Sequence, residues 1–131
     1  MGQPAAKKGD KVIATDIHIV MIPSPGGPIP TPLPHPFVGM LDGQLSTDVN
    51  IQGQPAAVKG STASNQPAHL PQGGPFQSPP KNRGEVMLGS ATVKINGKLA
   101  ARNGDTALTC NDPSDLPAGQ VIAVSTVMIG G

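Results

Sequence analysis

One pattern recurs three times along the chain, and it limits the fold more than any other feature. Its longest copy lies between Thr92 and Cys110 and reads Thr-Val-Lys-Ile-Asn-Gly-Lys-Leu-Ala-Ala-Arg-Asn-Gly-Asp-Thr-Ala-Leu-Thr-Cys. Val93 and Ile95 alternate with polar residues, as on a half-buried strand. Asn96-Gly97 supplies two residues able to take positive φ, the requirement of a type I′ hairpin turn. Leu99-Ala100-Ala101-Arg102 then begins a return strand that Gly104-Asp105 ends. Val49 to Ser61, Val-Asn-Ile-Gln-Gly-Gln-Pro-Ala-Ala-Val-Lys-Gly-Ser, aligns with Val93 to Asp105 without a gap. Pro4-Ala5-Ala6-Lys7-Lys8-Gly9-Asp10 aligns with the second half of the same unit. A short chain with three copies of one hairpin predicts a pseudo-threefold architecture. The copies also agree downstream. His18 follows Asp10 at the spacing at which His69 follows Ser61, and Cys110 takes the corresponding place, at shorter spacing, after the third copy.

The rest of the composition says how such a chain is held together. Apolar residues make up 37%, with no Trp or Tyr and only Phe37 and Phe76 as aromatics, while Gly 17 and Pro 16 bring the chain to the border of disordered composition. A small domain with so little aromatic surface to bury generally needs a staple. One cysteine excludes a disulfide within the chain, so a metal is the remaining candidate. The net charge of +1, with Lys and Arg scattered and no aromatic platform, gives no footprint for nucleic acid. No apolar stretch approaches the ~20 residues of a membrane-spanning helix. The N-terminus lacks the apolar segment of a signal peptide, and Ala6 stands where a myristoylation motif needs Ser or Thr. The expected place of synthesis and assembly is therefore the cytoplasm, with export only by a dedicated machine.

Between the copies the chain reads as strands and loops. Lys11 to Ile22 is rich in β-branched residues and reads as a strand carrying His18. Alternate prolines from Pro23 to Pro36 forbid a helix and remove ladder donors, so this stretch, which carries His35, reads as polyproline II or an ordered loop. Phe37 to Leu41 offers apolar packing under it, and Asp42-Gly43 a turn. Thr62 to Arg83 is rich in Pro, Gly, Gln and Ser and holds His69. Glu85 to Ser90 reads as a short strand, Asn111 to Asp115 as a turn cluster, and Val121 to Ile129 as a closing strand. No stretch has a sustained helical period. The expectation is one all-β domain, residues 1–131, with long Pro/Gly-rich loops.

Zinc favours tetrahedral nitrogen and sulfur ligands. The chain offers four such side chains and no surplus: His18, His35, His69 and Cys110. Bound together they would close the sphere, as in a structural site. Three of them follow equivalent motif copies and should converge near the pseudo-threefold axis. His35 would come from the proline-rich segment, where Pro34 and Pro36 restrict its backbone. Each residue also has a plainer explanation. His18 can be a tolerated polar residue in a strand, His35 and His69 exposed loop residues, and Cys110 an inert buried thiol.

Pro-Ala-Ala-x-x-Gly-Asp near the N-terminus, repeated internally and followed by His or Cys, resembles the PAAR-repeat proteins, named for Pro-Ala-Ala-Arg. The resemblance covers nearly the whole chain. The Arg position holds Lys7 in the first copy and Val58 in the second, and only Arg102 keeps it; Leu99 replaces Pro in the third copy and Ser61 replaces Asp in the second. The glycine and the Ala-Ala pair persist better, which points to backbone geometry. The resemblance implies a small cone of three pseudo-threefold hairpin repeats with one structural zinc per chain at its apex, bound by His18, His35, His69 and Cys110. It implies a tip that caps the trimeric β-helical spike of a type VI secretion system or related phage-tail-like contractile injection particle, one tip per trimer. Such a tip sharpens the spike for piercing, touches the target membrane transiently, leaves the cell with the particle and can carry effector proteins. It catalyses nothing. With the motif starting at Pro4 and the last strand at the C-terminus, no effector extension is expected.

Three other functions fit parts of the sequence. A zinc hydrolase needs an open metal position and a general base. The chain has a single Glu, Glu85, and no His-Glu-x-x-His, although an unbound His35 would leave an open site. A nucleophilic enzyme would use Cys110 with His18 or His69, but nothing in Thr109-Cys110-Asn111 marks an activated thiolate. An adaptor would bind through the proline-rich residues 23–36.

Overall fold

The computed structural model describes residues 2–130, and among them no helix forms. The strands in chain order are β1 (Gln3–Pro4), β2 (Lys11–Ile22), β3 (Ile29–Gly43), β4 (Asn50–Ile51), β5 (Gln54–Pro55), β6 (Thr62–Asn65), β7 (Arg83–Val86), β8 (Lys94–Ile95), β9 (Lys98–Leu99), β10 (Thr106–Thr109), β11 (Leu116–Ile122) and β12 (Met128–Ile129). Six of them close into an antiparallel barrel in the order β10-β11-β2-β3-β6-β7. The barrel is three hairpins, β2–β3, β6–β7 and β10–β11, and each follows one copy of the repeated motif. Along β2 side chains alternate as strand geometry requires. Val12, Asp16, His18 and Val20 point inward and are buried, while Lys11, Ile13 and Thr15 are exposed. Phe37 and Leu41 of β3 join Val12, Val86 and Val121 in the core. A Cβ on Gly39 would come 2.7 Å from the Phe37 ring, so that glycine makes room for the largest buried side chain.

The motifs themselves build a second layer at one end of the barrel. β4–β5 and β8–β9 are hairpins with two-residue turns, and φ is positive at Gln52 and Gly53 (48° and 81°) and at Asn96 and Gly97 (54° and 79°), as the expected type I′ turn demands. The third pair joins opposite ends of the chain. β1 pairs with β12 through Gln3↔Ile129 and Pro4↔Met128, the register of Gln54↔Ile51 and Pro55↔Asn50. The expected closing strand from Val121 to Ile129 is thus two elements. β11 stops at Ile122, which pairs with Lys11 at the start of β2, and Met128–Ile129 belongs to the other layer.

Backbone hydrogen bonds link the three copies in a closed cycle. Ala6 donates to Ala101, Ala101 to Ala57, and Ala57 to Ala6, each at 3.0 Å. A second cycle runs from Lys8 to Pro55, Lys59 to Leu99 and Asn103 to Pro4 at 2.8–2.9 Å. Ala5, Ala56 and Ala100, with Ile51, Ile95 and Ile129, form a separate apolar cluster. Strands can approach this closely only with small side chains, which is why the Ala-Ala pair recurs. Gly9, Gly60 and Gly104 all take φ near +90° (91°, 94° and 89°), a conformation that glycine alone reaches without strain. The final motif residue accepts a bond from the backbone N–H three residues earlier: Lys7 to Asp10, Val58 to the Ser61 hydroxyl, Arg102 to Asp105. Ser61 therefore serves as well as Asp. Lys7 and Arg102 add ion pairs of 3.1 and 3.0 Å to the same carboxylates, and Val58 does without one.

The proline-rich segment differs from expectation. Residues from Ile29 onward are not a loop but the first part of β3. Pro30, Pro32, Pro34 and Pro36 lie opposite Met21, Ile19, Ile17 and Thr15, while Thr31, Leu33 and His35 lie opposite Val20, His18 and Asp16. An antiparallel ladder takes donors from alternate residues, so prolines at every second position cost no ladder bond. They leave the outer edge of β3 without N–H groups, which protects it from pairing with another chain.

Candidate metal centre

β2 and β3 are 12 and 15 residues long, against 4 for β6, β7 and β10. They therefore run on past their barrel neighbours, because β11 meets β2 only over Lys11–Ile13 and β6 meets β3 only over Gly39–Gly43. Loops cover the exposed part of β2. Its amides at Ile17 and Ile19 donate to the side chains of Asn111 (2.6 Å) and Asp112 (2.8 Å), and that of Met21 to the Pro75 carbonyl (2.8 Å). These attachments bring His69, from the loop after β6, and Cys110, at the end of β10, up to His18.

Asp16, His18, His69 and Cys110 are all buried, and each has a donor atom within 4.8 Å of the others. Among the described residues this cluster is where a metal ion fits. His35 borders it. Its ring centre lies 5.6 Å from that of His18 and 5.5 Å from that of His69, and those two are 4.9 Å apart. Three imidazoles on one tetrahedral ion would have ring centres about 5 Å apart, given metal–nitrogen distances near 2 Å. Phe76 covers His18 and His35 edge-on or tilted, at 5.9 and 5.4 Å.

The hydrogen bonding of the cluster is incomplete in a way that suits a cation. Both ring nitrogens of His18 and Nε2 of His35 are buried without a partner. Each such group costs about 1–3 kcal/mol if left unsatisfied. Nδ1 of His35 is spoken for by the Leu33 carbonyl at 2.9 Å, which leaves Nε2 as its unpartnered donor atom. Asp16, fully buried, accepts from Thr109 Oγ1 at 2.6 Å and from Asn111 Nδ2 at 3.5 Å on one oxygen, and faces His69 Nε2 at 2.9 Å and Cys110 Sγ at 3.4 Å on the other.

The same burial sets the protonation of the donors. Loss of solvation holds the His18 imidazole below its ordinary range, against the opposing pull of Asp112. Burial, reinforced by the Asp16 carboxylate, pushes the Cys110 thiol up to about 11. Without an ion, then, the imidazole is neutral and the thiol protonated. A bound divalent cation would reverse the second condition, because its charge favours the thiolate.

Of the four residues singled out in the sequence, His18, His69 and Cys110 enter the tight cluster, and His35 packs against it. Asp16 was not singled out. It shares the inward face of β2 with His18, two residues away, and that parity was the available signal. Asn65 and Asn111, which fix His69 and Asp16, carry no sequence signal of their own.

A scan of the sequence against protein-family models finds no match, and a search of the curated proteins finds none. The class of the molecule accordingly rests on its own features: a small all-β chain with a buried Asp/His/His/Cys cluster able to hold a metal ion.

Proposed function

We propose that this chain is a PAAR-like spike tip: a non-catalytic, metal-clamped cap for the end of a trimeric β-helical spike in a contractile injection particle. The observation that carries the proposal is the closed hydrogen-bond cycle through Ala6, Ala57 and Ala101, which links the three motif copies at the layer of the β4–β5 and β8–β9 hairpins and the β1–β12 pair. A pseudo-threefold base of this kind can present one hairpin to each chain of a homotrimer. Strand edges then meet strand edges, as in β-augmentation. The metal cluster supports the same assignment by its position. It sits on the parts of β2 and β3 that run past the barrel, away from the hairpin layer, where a narrowing point would lie.

His18, His69 and Cys110 would hold the ion with His35 as a third imidazole, and zinc suits this nitrogen and sulfur set. A bound ion supplies crosslinking. It would tie β2, β3, the loop after β6 and the end of β10 to one point, so the outer hairpin could bear load without fraying. The role is mechanical, with the target membrane as a transient contact and effector proteins as possible passengers. The test is co-expression with a trimeric β-helical spike and native mass spectrometry of the purified particle. One tip chain per three spike chains is the expected result; a tip that stays monomeric in spike excess would refute the assignment.

A further inference from the structure

The three motif copies meet the barrel at three matching junctions, and one of these differs in chemistry from the other two. The junctions match because Gly9 donates to the Leu41 carbonyl, Gly60 to that of Val86 and Gly104 to that of Val121, at 2.8–3.0 Å. The chain continues past these acceptors as Asp42-Gly43 at the first junction, Met87-Leu88 at the second and Ile122-Ala123 at the third. The residue before each glycine is Lys8, Lys59 or Asn103, and its amide bonds to the neighbouring hairpin beside Gln54, Lys98 or Gln3. The adjacent barrel strand presents Ser64, Leu108 or Ile13, opposite Met40, Glu85 and Gln120. Only the second junction sets two lysines against three large apolar side chains.

An open crevice of about 480 Å3 lies there, lined by Lys59, Lys98, Met87, Leu88, Leu108 and Glu85. Met87 and Leu88 are 36% and 48% exposed, so its apolar wall faces water. Among the described residues Lys59, Lys98 and Glu85 make no ion pair. The charge is polarised across the crevice, with both lysines on the side of the hairpin layer and Glu85 on the barrel. Exposed apolar surface with a charged rim is the mark of a binding site.

We propose that this crevice binds one extended segment of another protein, apolar in the side chains it inserts and acidic along the edge that meets Lys59 and Lys98. An extended segment supplies both features in one stretch, because alternate side chains enter the crevice while those between them lie along its rim. The apolar anchors give the affinity, and the rim charges select the partner and its direction. The partner is a single chain. A symmetric trimer would meet all three junctions alike, whereas this pairing of lysines with a Met87-Leu88 wall occurs once. The site lies apart from the metal centre and does not depend on the spike assignment, so it stands if either fails.

The test uses the full chain as bait for a displayed library of random extended peptides, followed by calorimetric titration of the recovered sequences. Recovered peptides should place Asp or Glu beside Leu, Ile, Met or Phe and bind one per chain. Their affinity should fall with added salt. Reversing both charges, Lys59→Glu with Lys98→Glu, should weaken binding by at least about tenfold, and the same variant should select basic peptides in place of acidic ones. Both side chains are exposed and unpaired, so this variant should fold as wild type does. Leu88→Asp should also weaken binding, while Lys8→Glu, at the matching place in the first junction, should leave it unchanged. No recovered peptide, peptides without acids, three bound per chain, or affinity untouched by the double reversal would each overturn the proposal. Dodecanoate that binds the crevice where no peptide does would overturn it too, and would assign the site to an amphiphile.

Discussion

The pairing of β1 with β12 makes a prediction about a covalent change that touches no side chain in the core. Deleting Met1 and Gly2 and joining Gly131 to Gln3 yields Val127-Met128-Ile129-Gly130-Gly131-Gln3-Pro4-Ala5-Ala6. That sequence has the form of Val49 to Ala57. Ile129 and Gln3 are already opposite one another, so two glycines close the turn as Gln52-Gly53 and Asn96-Gly97 do. Glycine accepts the positive φ that both positions of a type I′ turn require. Closing the backbone leaves the native pairing in place and restricts only the unfolded chain. For a loop the size of this whole chain, that restriction is worth up to about 5 kcal/mol on the chain-entropy account. With an unfolding entropy of ~2.1 cal/mol/K per residue, the corresponding rise in Tm is up to about 18 °C. The assay is thermal unfolding by circular dichroism, comparing the cyclic chain with a linear chain that also lacks Met1 and Gly2, both at saturating zinc. A cyclic chain that melts at or below the linear control would refute the argument, because closure would then be straining ends that are not a hairpin.

Chelation of the metal should loosen one end of the molecule and spare the other. Hydrogen exchange read by mass spectrometry should speed up at Ile17, Ile19 and Met21 and in the loops that bind them, while the cycle amides of Ala6, Ala57 and Ala101 stay protected; uniform change would contradict this. Phe37→Ala should cost about 3–5 kcal/mol by urea unfolding, since the ring is the largest fully buried side chain and packs in the core with Val12, Leu41, Val86 and Val121. The metal-free protein should be most stable between two limits. Below the ordinary histidine value of 6.5 the unfolded chain takes up a proton that buried His18 resists, so stability falls with falling pH. Above 9.0 the unfolded thiol ionises while Cys110 holds its proton to about 11, so stability falls with rising pH across that interval. Urea midpoints measured against pH after chelation check both, and a flat profile would count against them.

Repetition made much of the fold legible. Three aligned Ala-Ala-x-x-Gly units, with Asn96-Gly97 between alternating residues, specified hairpins at the level of the backbone, and strand β2 has the bounds its β-branched run suggested. The composition of Pro23 to Pro36 shows what proline lacks but not which way each missing N–H would point; with every second residue proline from Pro30 to Pro36, an antiparallel edge strand loses nothing. The split of Val121 to Ile129 was also hidden by continuity of composition. Its signal was present, since Val127-Met128-Ile129-Gly130 repeats the start of the other two hairpins, but the rest of that hairpin lies at the far end of the sequence. At the site, His and Cys announce themselves by rarity. Asp16 does not, because seven aspartates look alike until the parity of β2 turns one of them inward.

The two ends of the molecule reach order by different means, and the substitutions within the motif follow from that. In the hairpin layer each copy is held by backbone bonds to the next, so the side chains need only be small, or able to accept one bond from the backbone. Val58 and Lys7 can therefore stand where Arg102 stands in the third copy, and Ser61 can replace Asp, without loss of the cycle. At the other end the equivalence is given up. The first copy alone carries a long hairpin, and it supplies Asp16, His18 and His35. The second and third copies contribute one residue each, His69 and Cys110, through loops of different length. Asp16, His18, His69 and Cys110 bring their donor atoms within 4.8 Å of one another from segments of unequal length. The excess length of β2 and β3 sets this end apart from the hairpin layer, where the motif copies are joined by like backbone bonds.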